Sequence, residues 1–190
     1  MKRTYEDILL VIDMQNDFVA DDGRCRVAGA KSTVAAISRA LASARERGWG
    51  VVYVVRAHRP DGSDAETFRR HLFSDGSGVC VAGSRGAEIV DGLRPEAGDY
   101  IVVKTRFDAF YATDLDVLLR GVGARRLYLA GTQYPNCIRS TAVGALERDY
   151  DVIVLTDCCS AATPDVAEAN IRDMTAMGIR CVSSEDVAES

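Results

Sequence analysis

Short, wholly apolar runs alternate along this chain with longer stretches in which apolar residues recur every three or four positions. Ile8-Leu9-Leu10-Val11-Ile12 is continuous, as a strand buried on both faces should be, and Asp13 stands at its carboxyl end. From about Ala30 to Arg47, Val34, Ile37, Leu41 and Ala44 share one helical face, with Gly48 as the stop. Strands are then predicted over Val51 to Val55 and over Tyr100 to Val103, the latter ending at Lys104. Thr113 can cap a helix carrying Leu115, Leu118, Leu119 and Val122. A fourth strand, Arg126 to Ala130, leads into Cys137 and a helix carrying Ile138, Ala142, Ala145 and Leu146. A fifth, Asp151 to Leu155, precedes a helix opened by Thr163-Pro164-Asp165 and stopped by Gly178, before a last short strand near Arg180 to Val182. The stretch from about Arg56 to Gly98 is the least regular, and loops of this kind on an α/β scaffold often cover a site. Strands joined by helices imply a mostly parallel sheet in one α/β domain over residues 1–190, with ligands outside the carboxyl ends of the strands.

Composition agrees with that reading and removes several function classes. With 47% hydrophobic and 27% charged residues in 190, the chain can bury one sizeable core. A net charge of -5 with no Lys/Arg stripe argues against nucleic acid as a partner, since Arg69-Arg70 and Arg125-Arg126 are only pairs. The first apolar run is short and meets Asp13, so neither a signal peptide nor a membrane span is expected, and the predicted location is cytoplasmic. Six cysteines without CxxC spacing read as reduced thiols, with Cys158 and Cys159 packing the end of a strand. His58 and His71 are the only histidines and lack zinc-ligand spacing; no metal and no cofactor is expected.

Asp13, Lys104 and Cys137 stand at or just after the carboxyl ends of three different strands, so one crevice can collect all three. Cys137 lies between a strand and a helix, with Asn136 as the expected N-cap. The helix dipole and free N–H groups there favour the thiolate, below the value of about 8.5 for a free cysteine. A thiol attacking an amide carbon needs a proton acceptor, a counter-charge and donors for the oxyanion. Asp13 would take the proton and return it to the leaving amine, Lys104 would pair with thiolate and carboxylate, and N–H groups between Gln133 and Cys137 would hold the oxyanion. Each residue also has a purely structural reading. Cys137 can pack a turn, Asp13 can cap Met14-Gln15-Asn16-Asp17, and Lys104 can be a solvated strand end.

At these positions the chain resembles the isochorismatase-like cysteine hydrolases, a superfamily that includes nicotinamidases, N-carbamoylsarcosine amidases, and ureidoacrylate and biuret hydrolases. Val11-Ile12-Asp13-Met14-Gln15-Asn16-Asp17-Phe18 is similar to the opening motif, and Lys104-Thr105-Arg106-Phe107-Asp108-Ala109-Phe110 to the lysine motif. Gly131 through Ala142 resembles the cysteine motif, and Gly83-Ser84-Arg85-Gly86-Ala87-Glu88-Ile89 the connecting loop. The resemblance implies a three-layer sandwich with a six-stranded parallel sheet, a triad of Asp13, Lys104 and Cys137, and a cis peptide before Gln133. The N–H groups of Gln133 and Cys137 would then bind the oxyanion. It further implies a homo-oligomer, dimer or tetramer, and hydrolysis of a C–N bond in a small amide, carbamoyl or ureido substrate through a thioester. Vinyl-ether hydrolases of the superfamily lack the cysteine.

Two departures narrow the expectation. Nicotinamidases carry a metal held in part by an Asp-x-His pair after the second strand, where this chain has Arg56 and His58, and an arginine cannot ligate a cation. Tyr134-Pro135-Asn136 replaces the Thr-Asp-x that often precedes the family cysteine. Candidate substrate contacts are Phe18, Phe110 and Tyr134, with Arg56 or Arg106 for a carboxylate or a urea-like carbonyl. The competing readings are a catalytically idle oligomeric binding module of the same fold, a nicotinamidase-type enzyme with an altered metal site, and a thiol redox protein, which would need a resolving cysteine near Cys137.

Overall fold

Each apolar run becomes a strand of one sheet in the computed structural model, which describes residues 3–189. The strands are β1 (Asp7–Ile12), β2 (Gly50–Arg56), β3 (Tyr100–Lys104), β4 (Arg126–Thr132), β5 (Asp151–Ser160) and β6 (Arg180–Val182). The helices are α1 (Asn16–Val19), α2 (Ala30–Glu46), α3 (Leu115–Val122), α4 (Arg139–Leu146) and α5 (Pro164–Ala176). Strand order is β3-β2-β1-β4-β5-β6 with every pairing parallel, which gives the expected six-stranded sheet. β1 lies at the middle, bonded to β2 on one side and β4 on the other. Its residues Ile8 to Ile12 are at most 1% exposed, so they can be apolar throughout.

The period of two along each strand sorts side chains into two apolar layers. Ile8, Leu10 and Ile12 join Leu115 and Leu119 of α3, Ala142 and Ala145 of α4, and Met174 of α5. Leu9 and Val11 face the other way, onto Ile37, Leu41 and Ala44 of α2. The result is a three-layer sandwich. Burying a Leu or Ile side chain contributes about 1.5–3 kcal/mol, so these layers supply most of the stabilisation. Among the described residues no helix is long and apolar enough to cross a membrane.

Local signals hold where a side chain can satisfy a helix end by itself. Thr163 caps α5, its hydroxyl accepting from the Val166 N–H at 3.4 Å, with Pro164 in the first turn. Thr113 is displaced by one position from its expected role: Asp114 is the residue before α3, and the Thr113 hydroxyl accepts from the Leu115 N–H at 3.3 Å. β5 runs five residues beyond its predicted end at Leu155 and takes in Cys158 and Cys159, both buried in the sheet. β3 is an edge strand with one covered face: Val102 is buried, whereas Ile101 and Val103 are 57% and 52% exposed.

Strand order reverses its direction of growth at β1 and β4, the place where parallel sheets open a crevice at their carboxyl ends. Gly131 makes this junction tight. Its φ is +128°, and a Cβ built on it would lie 2.0 Å from the Ile12 carbonyl oxygen, with the Ile12 nitrogen at 2.8 Å. Neither obstacle is a movable side chain, so only glycine lets β4 close against the end of β1. Gly131→Ala is expected to destabilise the fold by more than about 2 kcal/mol in urea denaturation, whereas alanine at half-buried Gly121 of α3, which has open space around it, should stabilise by about 0.5–1 kcal/mol.

Candidate active site

Asp13 follows β1 with a left-handed φ of +53°, a conformation that costs most residues roughly 1–2 kcal/mol but that Asp tolerates better than most. Its N–H donates to the Val54 carbonyl at 2.9 Å, and its carbonyl accepts from the Gln15 N–H at 2.8 Å. The side chain does not cap the following turn. Oδ2 accepts from Lys104 Nζ at 2.7 Å, and Oδ1 is buried with no hydrogen-bond partner among the described residues. Lys104 reaches Asp13 from β3 across the end of β2, where it pairs in register with Arg56, and its Nζ also donates to the Arg106 carbonyl at 3.0 Å. Lys104 is therefore no solvated strand end: both side chains of the pair are at most 1% exposed.

Cys137 arrives by a different route from the one expected. After Gly131 comes a cis peptide between Thr132 and Gln133, then a wide π-helical turn over Tyr134–Ile138, and only then α4. Gln133 precedes that turn, and its carbonyl accepts from the N–H groups of both Asn136 and Ile138 at 3.2 Å. Asn136 is thus inside the helical turn and is not its N-cap. Cys137 is 4% exposed. Burial pushes its pKa up and the Asp13 charge adds to this, while the Lys104 and Arg56 charges pull it down. The net shift is upward, opposite to the lowering expected from a helix start, because desolvation and Asp13 outweigh the two cations.

Arg56 closes the cluster. Its side chain has no solvent exposure, and Nη1 donates to Glu66 Oε1 at 3.0 Å and to the Thr105 carbonyl at 3.2 Å. Nη2 donates to Cys137 Sγ at 3.7 Å, and Nε lies 3.8 Å from Asp13 Oδ2. Asp13 and Glu66 face Lys104 and Arg56, with Arg69 Nη1 3.8 Å from Glu66 Oε2, so each buried charge has an opposite partner, the condition under which buried ions persist. Burial opposes the ionisation of Glu66, yet the Arg56 charge prevails and holds its pKa below the usual range.

Sequence reasoning missed Gln15, Glu66 and Phe107. The Gln15 amide brackets Arg56, Oε1 accepting from the Arg56 N–H and Nε2 donating to the Arg56 carbonyl, each at 2.7 Å. Nε2 also donates to the Ala87 carbonyl at 2.7 Å. The Arg56 and Arg69 guanidinium carbons lie 5.5 and 5.1 Å from the centre of the Phe107 ring. Gln15 and Phe107 lie in motifs already singled out, and only distance in sequence hid Glu66.

The donor set around Arg56 does not fit a metal ion. Arginine only donates, so at 3.4 Å from Nη1 the His58 Nε2 is the acceptor, which leaves the proton on Nδ1, 3.3 Å from Asp64 Oδ1. The guanidinium thus takes up the lone pair that a cation would need. His71 is exposed and turned to its own helix, its Nδ1 2.8 Å from the Phe68 carbonyl.

Of the other candidates, Phe18 packs in the α2 layer, and Phe110 stacks on Tyr150 with centroids 6.1 Å apart. Tyr134 is 1% exposed, with its hydroxyl donating to the Thr156 carbonyl at 3.2 Å. Arg106 is half-buried and donates to the Asp64 and Thr105 carbonyls at 2.5 and 3.0 Å, tying the loop around Asp64 to the end of β3. Open clefts lie elsewhere: one of about 680 Å³ runs between Asn16, Lys31, Val34 and Arg85, and includes no member of the Asp13, Lys104, Cys137 cluster.

Residues 7–186 match the model of the isochorismatase domain family. A probable inactive nicotinamidase of Arabidopsis thaliana is 46% identical over 184 residues, 95% of this chain and 94% of that protein. A ureidoacrylate amidohydrolase of Methylorubrum extorquens is 31% identical over 187 residues, 88% of this chain and 75% of the relative. The crystal structure of an isochorismatase family protein from Desulfovibrio vulgaris superposes with a TM-score of 0.95 at 56% identity, covering 98% of each chain.

Lys104→Met would leave the Asp13 carboxylate facing only the more distant Arg56, and a loss of about 3–5 kcal/mol is expected in urea denaturation, as for other broken buried pairs. Burial, with the Arg56 charge, lowers the His58 pKa below its ordinary 6.5, so the unfolded chain takes up this proton first. The contribution of His58 to stability is then complete above about pH 6.5 and is lost as the pH falls through the lowered folded value. Urea midpoints measured between about pH 7 and pH 5 should fall less steeply in His58→Gln than in the native chain.

Proposed function

Because the chain belongs to the isochorismatase family, we propose that it is a metal-independent cysteine amidohydrolase acting on a small amide, carbamoyl or ureido compound. The observation that carries this reading is the contact of three strand ends: Asp13 holds Lys104 through Oδ2 and keeps Oδ1 unpaired in the same buried cluster as the Cys137 thiol. An unpaired buried carboxylate oxygen costs about 1–3 kcal/mol or more in a structural role, but it is what a proton acceptor needs.

In this mechanism Cys137 gives its proton to Asp13 as Sγ attacks the substrate carbonyl carbon. The carbonyl electron pair moves to oxygen, and the N–H groups of Gln133 and Cys137 hold the resulting oxyanion. When the C–N bond breaks, Asp13 returns the proton to the departing nitrogen, leaving a thioester on Cys137. Asp13 then takes a proton from water as the water attacks the thioester, and the acid leaves as Cys137 recovers its proton. Lys104 keeps Asp13 oriented through both halves. Arg106, half-buried beside the cluster, is the side chain best placed to meet a polar substrate group, with Phe18, Phe110 and Tyr134 shaping the layers behind the site.

The ureidoacrylate amidohydrolase among the relatives supports the ureido class. Nicotinamide is disfavoured, since the place of the metal-binding Asp is filled by a buried guanidinium. The name of the Arabidopsis relative, a probable inactive nicotinamidase, supports the second reading of an idle binding module. A second copy of this chain is the proposed partner, with the uncovered face of Ile101 and Val103 as its contact, because a parallel sheet is ordinarily covered on both sides.

Ammonia release measured across primary amides, carbamoyl amino acids, biuret and nicotinamide should find turnover in the carbamoyl or ureido group. Cys137→Ala and Asp13→Asn should lower it by at least about a thousandfold. Turnover retained in Cys137→Ala would end the mechanism, and no turnover on any compound would favour the idle module.

A further inference from the structure

A guanidinium withdrawn completely from water is costly, and a structural arginine in that position spends its donors on carbonyls and carboxylates. Arg56 does so with only part of its fork. Nη1 holds Glu66 Oε1 and the Thr105 carbonyl, anchoring the group to the scaffold. The other two nitrogens have no such acceptors. Nη2 makes its hydrogen bond to Cys137 Sγ at 3.7 Å, and Nε is buried without a hydrogen-bond partner, 3.8 Å from Asp13 Oδ2. The free half of the fork is therefore aimed at the two atoms between which a proton would pass.

The backbone is held as firmly as the head group. β1 stops pairing with β2 at Ile12 and Val54, so the peptide of Arg56 has no strand neighbour on that side. The Gln15 side chain supplies one, accepting from the N–H and donating to the carbonyl in the manner of an adjacent strand, with no exposure to solvent. Lys104 pairs with Arg56 in register on the other side. This support fixes where the Cα–Cβ bond starts, and Glu66 fixes where the guanidinium ends.

On these grounds we infer that Arg56 is the counter-ion of the Cys137 thiolate, with Gln15 and Glu66 as its positioning residues. The inference rests on the cysteine-nucleophile reading of the site and adds a cation that the Asp-Lys-Cys triad does not contain. When the proton moves from Sγ to Asp13, negative charge leaves the carboxylate that Lys104 holds and appears on the sulfur that Nη2 touches. The net charge of the cluster is unchanged; only the cation that bears the load changes. An arginine suits this role better than a lysine, since it stays protonated at any working pH and its fork can touch scaffold and sulfur together. Arg56 and Lys104 both favour the charged sulfur electrostatically, against burial and Asp13.

The test is the pH dependence of Cys137 alkylation by iodoacetamide without substrate, located by peptide mapping, with Cys137→Ser as the blank for the other five cysteines. Arg56→Met should raise the midpoint by at least about one pH unit, a tenfold loss of thiolate at fixed pH. Arg56→Lys should recover part of the shift, and Gln15→Ala should show a smaller shift of the same sign. Because Arg56→Met alone removes the nearer cation of the Glu66 carboxylate, the same comparison is made between Glu66→Gln and the Arg56→Met/Glu66→Gln double variant; both lack the carboxylate that pairs with Arg69, so that loss cancels between them. An unchanged midpoint in the double variant, relative to Glu66→Gln, would overturn the inference. Absence of hydrolysis on every substrate would defeat the amidohydrolase reading and leave this titration, which involves no turnover, to be judged by itself.

Discussion

Everything at this site depends on one electrostatic constraint: the charges of Asp13, Glu66, Lys104, Arg56 and Arg69 are held largely out of water at the end of a sheet. Asp13 and Lys104 are at most 1% exposed, and Arg56 has no exposure at all. An isolated ion there would be too costly to hold, so each charge requires its partner. A thiolate there would sit beside the Asp13 carboxylate, and burial together with that charge pushes the Cys137 pKa up against the pull of Lys104 and Arg56.

The sheet meets this constraint through backbone geometry at three strand ends. β1 turns sharply at Asp13 into a left-handed residue, and β4 presses against it because Gly131 has no Cβ to strike Ile12. β2 ends at Arg56, whose last peptide is completed by a side chain, Gln15, in place of a strand. Lys104 then needs only the length of its own stem to cross from β3 to Asp13. The two apolar layers make this arrangement stiff, since β1 is fully covered on both faces and cannot shift without opening the core.

Much of this was legible in the chain. Apolar runs located the strands because a strand buried on both faces leaves few positions for polar residues, and the rule that ligands bind at carboxyl ends then selected Asp13, Lys104 and Cys137. Thr163-Pro164 announced the start of α5, because that cap is made entirely by neighbours in sequence. The readings that failed were local ones overruled by distant partners. Asn136 has the chemistry of an N-cap, yet the chain enters the helix at Tyr134 through a wider turn. Arg56 reads as a substrate-binding side chain until Glu66, ten residues away in an irregular loop, is found against it.

The sequence by itself determined the order of elements and the placement of Asp13, Lys104 and Cys137 at the ends of three strands, because these depend on residue type and periodicity; that Arg56 stands where nicotinamidases carry a metal-binding carboxylate was legible only through the family resemblance. Only the tertiary structure decided the upward shift of the Cys137 pKa, the direction in which Arg56 points, and the contacts that Gln15 and Glu66 make with it. Those depend on desolvation and on contacts between residues far apart in the chain, which no window along the sequence contains.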